Sequence, residues 1–402
     1  MILGHKIELR PNKKQVLELV KAVGCARFAY NWGLEEWERQ YKVGEKPTAL
    51  KIKKKFNELK GQEYPWIYDS PKDSNQQALN NLGKAFDRFF KGLGGYPVNK
   101  KKFVNDSFYV PNDKLRIKGS AVRLPVLGWM GMRESLRFSG KIQSAVVSRK
   151  ADRWYISFNV DMPGYKKERK GNNKVGVDLG IKTAVMTSEG KGYDAPKPLK
   201  KYLRKLKKLS RQHSRKVKGS ANRKKSAAKL GKLHKKIADV RRDWVHKVTT
   251  ALCQENQLIV LEDLNVAGMV KNHKLSRAII DIGWGELRRQ IEYKAQIYGD
   301  EVVLVDRWYA SSKTCSGCGA VKEELLLSER VYECDKCGLV MDRDNNAAVN
   351  ILRWGEYNNQ LPEAIGEVTP VEIGAKLKLG MVEELRSFEA GTNSAHYCAP
   401  ER

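Results

Sequence analysis

The stretch Lys174-Val175-Gly176-Val177-Asp178-Leu179-Gly180-Ile181-Lys182, continued by Thr183-Ala184-Val185-Met186-Thr187, decides how the rest of the chain is read. Two apolar runs flank a glycine turn, so the segment reads as a strand, a turn and a second strand, with Asp178 on the first. Further along, Leu258-Ile259-Val260-Leu261-Glu262-Asp263-Leu264 has the continuous apolar pattern of a buried strand and ends in acid, with Glu262 near its carboxyl end. A third segment, Met341-Asp342-Arg343-Asp344-Asn345-Asn346-Ala347-Ala348-Val349-Asn350-Ile351, turns alanine-rich and reads as a helix starting near Asp344.

Acids at strand ends and helix starts are common one at a time. A strand acid, a later strand acid and an acid on a final helix are together what a ribonuclease-H-like sheet needs to gather carboxylates across adjacent strands. Such a cluster suits two Mg²⁺ ions, which prefer oxygen ligands and retain waters. Paired about 4 Å apart, they generate hydroxide and stabilise the leaving oxygen of an in-line phosphodiester attack.

Just before the third acidic segment stand Cys315-Ser316-Gly317-Cys318-Gly319 and Cys334-Asp335-Lys336-Cys337-Gly338, with 15 residues between the pairs. Two residues between cysteines let a tight turn aim both sulfurs at one ion, and the glycine after each pair lets the backbone fold around it. Four soft thiolates suit one tetrahedral Zn²⁺, and with every position taken by protein the site is structural. Chemistry must lie elsewhere, at the carboxylates. The other cysteines, Cys25, Cys253 and Cys398, are isolated in sequence, which fits a reducing compartment.

Charge indicates the partner. The 402 residues carry 76 Lys+Arg against 46 Asp+Glu, a formal net charge of +30, which favours a polyanion. Between Lys200 and Arg242, 19 bases face one acid, Asp239, while Leu203, Leu206 and Leu209, then Leu230, Leu233 and Ile237, recur at helical spacing. Like charge this dense repels itself without an anionic partner, so the segment reads as a helical hairpin facing nucleic acid, with Lys200, Lys201, Arg204, Lys208, Arg211 and Arg215 as candidate contacts. No apolar run approaches the about 20 residues of a membrane span, and Met1-Ile2-Leu3-Gly4-His5 lacks a signal-peptide core. A cytoplasmic protein with no membrane partner is expected.

Toward the N-terminus, Ile7-Glu8-Leu9-Arg10 alternates like a strand. Pro11-Asn12 opens a helix with Val16, Leu17, Val20 and Val23 on one face, extended by Phe28, Trp32 and Leu34. A second helix starts near Asp73 or Ser74, carries Leu79, Leu82, Phe86 and Phe89, and ends at Gly92, Gly94 and Gly95. From about Phe108 to Asp161 short alternating runs predict a small antiparallel barrel or sandwich, which the opening strand joins if residues 11–103 are an insertion. From roughly Gly355 the chain has eight acids against four bases and no sustained periodicity, and a flexible tail is expected.

These motifs, in this order, resemble the TnpB family of transposon-encoded RNA-guided nucleases, which are related to type V CRISPR effectors. The likeness rests on Gly176-Val177-Asp178-Leu179-Gly180-Ile181-Lys182, Leu261-Glu262-Asp263-Leu264, the two CxxCG pairs and residues 342–351, with weaker similarity at Leu9-Arg10-Pro11-Asn12 and residues 26–32. It implies a fold of class α/β plus all-β: a ribonuclease-H-like RuvC nuclease domain with an inserted zinc ribbon, preceded by a wedge-type β-barrel carrying a helical recognition insertion. The implied boundaries are 1–10 and 104–165 for the barrel, 11–103 for the helical domain and 166–355 for the nuclease, with the basic hairpin at 200–256, the ribbon at 312–340 and the acidic tail at 356–402. It further implies Asp178, Glu262 and, by its Asp-x-Asn-Ala-Ala setting, Asp344 as catalytic Mg²⁺ ligands, with Asp342 the alternative to the last.

The resemblance also implies a noncoding guide RNA from the transposon end, a double-stranded DNA target read by base pairing beside a short adjacent motif, nucleoid association and no small-molecule substrate. Lys72 and Gln76 align with residues that contact that motif in relatives. At Gly95-Tyr96-Pro97-Val98-Asn99-Lys100 the chain departs from the usual aromatic and base after the proline. Two alternatives stay open: a nuclease-inactive RNA-guided DNA-binding repressor, and an acidic-triad transposase.

Overall fold

The computed structural model describes residues 1–326 and 328–364. Two compact units are formed. The first comprises Met1–Lys167, Pro196–Lys247 and Asp281–Gly283, and the second Glu168–Ala195, Val248–Ile280 and the chain from Trp284 onward.

In the first unit, β1 (Ile2–Arg10) buries Leu3, His5, Ile7 and Leu9 on alternate positions, the period of a strand with one face inward. Helices α1 (Lys13–Lys42), α2 (Ala49–Glu63) and α3 (Lys72–Phe90) follow. After them come β2 (Ser107–Pro111), β3 (Arg116–Lys118), β4 (Ala121–Leu124), β5 (Gly128–Met132), β6 (Lys141–Lys150) and β7 (Arg153–Asp161). The strands form one seven-stranded sheet in the order β2-β6-β7-β1-β5-β4-β3, antiparallel at every ladder. Strand β1 pairs along β7 from Ile2↔Asp161 to Leu9↔Trp154, so the three helices interrupt one sheet in sequence. No pairing joins β2 to β3 among the described residues, so the ladder is a sheet with two free edges.

Asn12 caps α1 in a reciprocal box with Gln15: Gln15 N donates to Asn12 Oδ1 at 2.8 Å and Asn12 N to Gln15 Oε1 at 3.1 Å. Leu17, expected on the buried face, is 57 % exposed, and the inward stripe runs instead through Leu19, Ala22, Val23, Ala26, Ala29 and Tyr30. Helix α2 escapes sequence reading because a lysine-rich run shows only two buried apolar residues, Ile52 and Phe56. Phe56 packs against Trp32, ring centroids 4.9 Å apart. The first unit also contains α4 (Pro198–Ser214) and residues 221–247 of α5 (Ala221–Glu255). Buried Asp281 accepts the backbone N–H groups of Leu199 (2.8 Å) and Lys200 (2.9 Å) and pairs with Arg241 (3.3 Å), so one carboxylate caps α4 and ties it to α5.

The second unit contains β8 (Asn173–Asp178), β9 (Val185–Thr187), β10 (Gly192–Tyr193), β11 (Asn256–Glu262) and β12 (Glu301–Val305) in one sheet of order β10-β9-β8-β11-β12. Strands β8, β9 and β10 pair antiparallel, whereas β11 pairs parallel with both β8 and β12. That mixed sense, with the first strand central, is the ribonuclease-H-like arrangement. The remaining elements are α6 (Val266–Met269), α7 (Ser276–Ile282), α8 (Trp284–Tyr298), the ribbon strands β13 (Val331–Glu333) and β14 (Val340–Asp342), and α9 (Arg343–Ala364).

Helix α9 lies directly on the sheet, and glycine is what allows it. A Cβ on Gly176 of β8 would stand 2.1 Å from Ala348 O and 2.5 Å from Leu352 N, both backbone atoms of α9. Ala347, Ala348 and Ile351 are wholly buried beneath it. The tail expected from residue 356 begins as a continuation of α9 to Ala364, and its remainder, 365–402, lies outside the described residues. Among the described residues no helix is long and apolar enough to cross a membrane.

Candidate functional site

Asp178 is the last residue of β8 and Glu262 the last of β11, and these strands are parallel neighbours in register Leu261↔Val177. Parallel pairing puts both carboxyl ends at the same sheet edge, which sets the two acids side by side. Asp344 joins them from the first turn of α9, and its Oδ2 faces the turn after Asp178, 3.9 Å from where a Cβ on Gly180 would stand. Asp342 does something else: its Oδ1 accepts the N–H groups of Asp344 and Asn345, each at 3.0 Å, and so caps α9.

Asp178 is 9 % exposed. Burial first, then the charges of Glu262 and Asp344, push its carboxyl well above the usual carboxylate range. Burial also raises Glu262, opposed by a hydrogen bond from Ser311 Oγ to Glu262 Oε1 at 3.0 Å. Three acids crowded this way hold a proton or a cation more readily than they stand bare.

The sign of the linkage follows from the raised value. The folded chain keeps a proton on Asp178 that the unfolded chain has released, so this stability is present below the ordinary carboxylate pKa and is lost as pH rises through the raised one. In buffer free of divalent cations, Asp178→Asn should therefore melt above the parent on the alkaline side of that window and with it on the acid side. A shift of about 2–4 °C per kcal/mol of relieved repulsion is expected by calorimetry. A parent Tm that tracks the variant at every pH would refute the repulsion.

The residue after Glu262 is firmly paired. Asp263, its neighbour, receives Arg288 Nη1 at 2.5 Å and Arg307 Nη2 at 2.6 Å, and Arg307 Nε also donates to Asp263 O at 3.1 Å. The loop from β12 that carries Arg307 also carries Ser311. Neither Ser311 nor this arginine pair was legible in sequence, since nothing local links residues 307–311 to 262–263.

In the ribbon the four Sγ atoms of Cys315, Cys318, Cys334 and Cys337 lie within 4.8 Å of one another, with Cys315–Cys337 at 3.5 Å and Cys318–Cys334 at 3.6 Å. A tetrahedron with bonds of about 2.3 Å has edges of about 3.8 Å, so the cluster fits a zinc ribbon. Both halves use the same turn. Gly319 N donates to Cys315 O and Gly338 N to Cys334 O, each at 2.9 Å, with φ of 77° and 71° at the two glycines, a region that favours glycine. Backbone N–H groups of Cys337 and Lys336 bring the Cys334 thiol down to about 6, whereas hydrogen bonds with Cys315, Cys318 and Cys334 push Cys337 up to about 12, so without a cation the crowded sulfurs do not all ionise together.

The ribbon is fastened to α9 by one stripe of that helix. Asn346 Oδ1 accepts Ser316 N at 2.9 Å while its Nδ2 donates to Thr314 O at 2.7 Å. Asn350 Nδ2 donates to Ser311 O at 2.9 Å and Thr314 O at 2.6 Å, and Arg353 Nη1 donates to Ser316 O. Buried Asn346 and Asn350 thus tie the first cysteine turn to the helix that carries Asp344. The Asn-Ala-Ala-Val-Asn spacing, i and i+4, is the signal in sequence that marks this stripe.

Of the residues expected to meet nucleic acid, Lys200, Lys201, Arg204, Lys208 and Arg211 are exposed along α4 and Arg215 is exposed at its C-cap, while the helix's leucines 203, 206 and 209 are half-buried. Lys72 is exposed at the start of α3. Gln76 is 9 % exposed and its amide donates to Asn57 Oδ1 at 2.8 Å, so it is engaged within the helical layer.

Fold and site together define a RuvC-like nuclease fold with a thiolate ribbon set between its last core strand and its final helix. Comparison with known proteins agrees. A family model described as Probable transposase matches residues 156–273, one described as Cas12f1-like, TNB domain matches 284–351, and one described as Helix-turn-helix domain matches 1–46. That last span is here a strand followed by one unbroken 30-residue helix. The Escherichia coli (strain K12) protein "Putative RNA-guided DNA endonuclease InsQ" is 35% identical over 88% of this chain and 92% of its own length. A Streptomyces pristinaespiralis protein, "Putative RNA-guided DNA endonuclease", is 37% identical over 88% and 89%. The solved structure "Cryo-EM structure of the Cas12f1-sgRNA-target DNA complex" shares the fold at TM-score 0.52 and 15% identity, covering 84% of this chain and 82% of that one. The chain belongs to the TnpB family.

Proposed function

We propose that this chain is an RNA-guided DNA endonuclease of a transposon, in which Asp178, Glu262 and Asp344 hold two Mg²⁺ ions at the site of phosphodiester hydrolysis. The observation that carries it is the convergence of three carboxylates, two of them with pKa values raised by burial. An all-oxygen, anionic donor set suits hard divalent cations. When bound, such ions activate water and neutralise charge on the leaving oxygen, giving 5′-phosphate and 3′-hydroxyl ends. The protein's own part is to hold the acids. Strand ends β8 and β11 fix two of them, α9 brings the third, and Ser311 orients Glu262.

The domain reading belongs to the same proposal. Residues 1–10 and 104–165, an open sheet in place of the expected closed barrel, act as the wedge-type domain, 11–103 as the recognition insertion and 166–355 as the nuclease, with the exposed bases of α4 meeting phosphates of guide RNA or target DNA. Base pairing by the guide selects the target strand, and the chain reads a short adjacent motif with Lys72 as a contact. Presence of all three acids speaks against the nuclease-inactive repressor.

The test is to copurify the full chain with its co-expressed RNA and to assay double-stranded DNA carrying the matched target beside candidate adjacent motifs. Guide-dependent cutting is expected. Joined strands as well as cut ones would favour the acidic-triad transposase instead. Within the same assay, Ser311→Ala should cut about 10- to 100-fold more slowly at limiting Mg²⁺ and recover at high Mg²⁺, because Glu262 loses the partner that orients it. Equal rates at every Mg²⁺ concentration would remove Ser311 from the site.

A further inference from the structure

The loop that supplies Ser311 also displays Trp308. Its indole is 87 % exposed, the highest exposure of any large apolar side chain among the described residues. The loop around it is tied down. Trp308 N donates to Asp306 Oδ1 at 2.8 Å, Tyr309 N to Asp306 O at 3.1 Å and Ser311 N to Tyr309 O at 2.9 Å, while Arg307 is held by Asp263. Tyr309, next in sequence, is half-buried and packs toward Trp354, 6.3 Å between ring centroids. A loop that buries one aromatic and fixes its own backbone has turned the other outward, leaving an apolar π-face that none of the described residues of this unit covers.

Position selects the occupant. Trp308 stands three positions before Ser311, whose Oγ is 3.0 Å from Glu262, so their Cα atoms are at most about 11 Å apart, about three nucleotide steps along a strand. Arg288 and Arg307 are both engaged by Asp263, and Arg288 also by Glu292, so the bare ring rather than net charge is what this loop offers a ligand. A flat exposed aromatic beside a phosphodiester-cutting site is the chemistry that stacks an unpaired base. The geometry points to Trp308 as a stacking platform for a base of the single DNA strand entering the carboxylate cluster. This inference rests on the nuclease reading above.

The test separates the two. The full chain, copurified with its guide RNA and carrying Asp178→Ala to prevent cutting, is titrated with a fluorescent single-stranded oligothymidylate and with an abasic strand of equal length, at salt high enough to screen phosphate contacts. Adding Trp308→Ala should weaken oligothymidylate binding by roughly 5- to 150-fold, leave the abasic strand unchanged and leave the salt slope unchanged, whereas Trp308→Phe keeps most of the affinity. Since the indole touches solvent, the alanine variant should keep its far-UV circular dichroism. Unchanged oligothymidylate binding, or equal weakening of the abasic strand, overturns the platform and leaves Trp308 to a protein or phosphate contact. Failure of the parent chain to cut matched DNA overturns the nuclease reading without touching this binding result.

Discussion

Asp178→Ala, loaded with guide RNA, should leave matched target DNA uncut, with the rate down by about 10³-fold or more. Charge stabilisation by metal ions is worth several kcal/mol, and each 1.36 kcal/mol is a factor of ten. The fold should survive, because the substitution removes a buried acid that its neighbours already repel. Guide RNA and target binding, read by gel shift, should therefore stay near the parent's. Undiminished cutting would end the assignment of Asp178. The aspartate pair flanking Arg343 gives an internal control. Asp344→Asn should behave like Asp178→Ala, whereas Asp342→Asn should lose only a helix cap, about 0.5–2 kcal/mol of stability, and keep most of its activity.

Cys315→Ser should release the bound zinc, read by elemental analysis, and lower cleavage by about 10²-fold or more although no thiolate touches the carboxylates. Structural zinc supplies on the order of 10 kcal/mol to the folding of small zinc domains, so a three-thiolate ribbon loses its turn. The consequence travels by contact. Thr314 and Ser316, on either side of Cys315, are the backbone partners of Asn346 and Asn350, and α9 carries Asp344 two residues before Asn346. A displacement of about 1 Å at a catalytic group is enough for a 10²-fold loss. Asn346→Ala with Asn350→Ala should reproduce part of the loss with zinc retained, which separates positioning from metal binding. Full activity in a zinc-free Cys315→Ser chain would contradict this account.

The ribbon and two of the three acids were legible because their signals are local. A CxxCG turn encodes its own geometry, and a run such as Leu258-Ile259-Val260-Leu261-Glu262 states in five residues that it is buried and that it ends in charge. Reading failed where the signal was thin or distributed. The helix over Ala49–Glu63 buries only Ile52 and Phe56, so its lysines hid its periodicity. Leu17 lies among apolar neighbours, where one apolar residue out of phase is indistinguishable from one in phase, and the helix turns it outward. Gln76 looked available at the start of a helix, yet Asn57 of another helix engages it.

The sequence by itself determined the candidate donor sets, four thiolates and the acids Asp178, Glu262 and either Asp342 or Asp344, and the cationic stretch 200–242, because ligand chemistry and charge are properties of residues. Only the tertiary structure decided that Asp344 faces the cluster while Asp342 caps α9, that Ser311 meets Glu262 and two arginines meet Asp263, and that the ribbon is bolted to the helix bearing Asp344. Those decisions depend on parallel pairing of β8 with β11 and on the glycine at 176 that lets α9 approach β8. Both are contacts between segments far apart in the chain. Proximity of that kind comes from packing, which no single stretch of residues encodes.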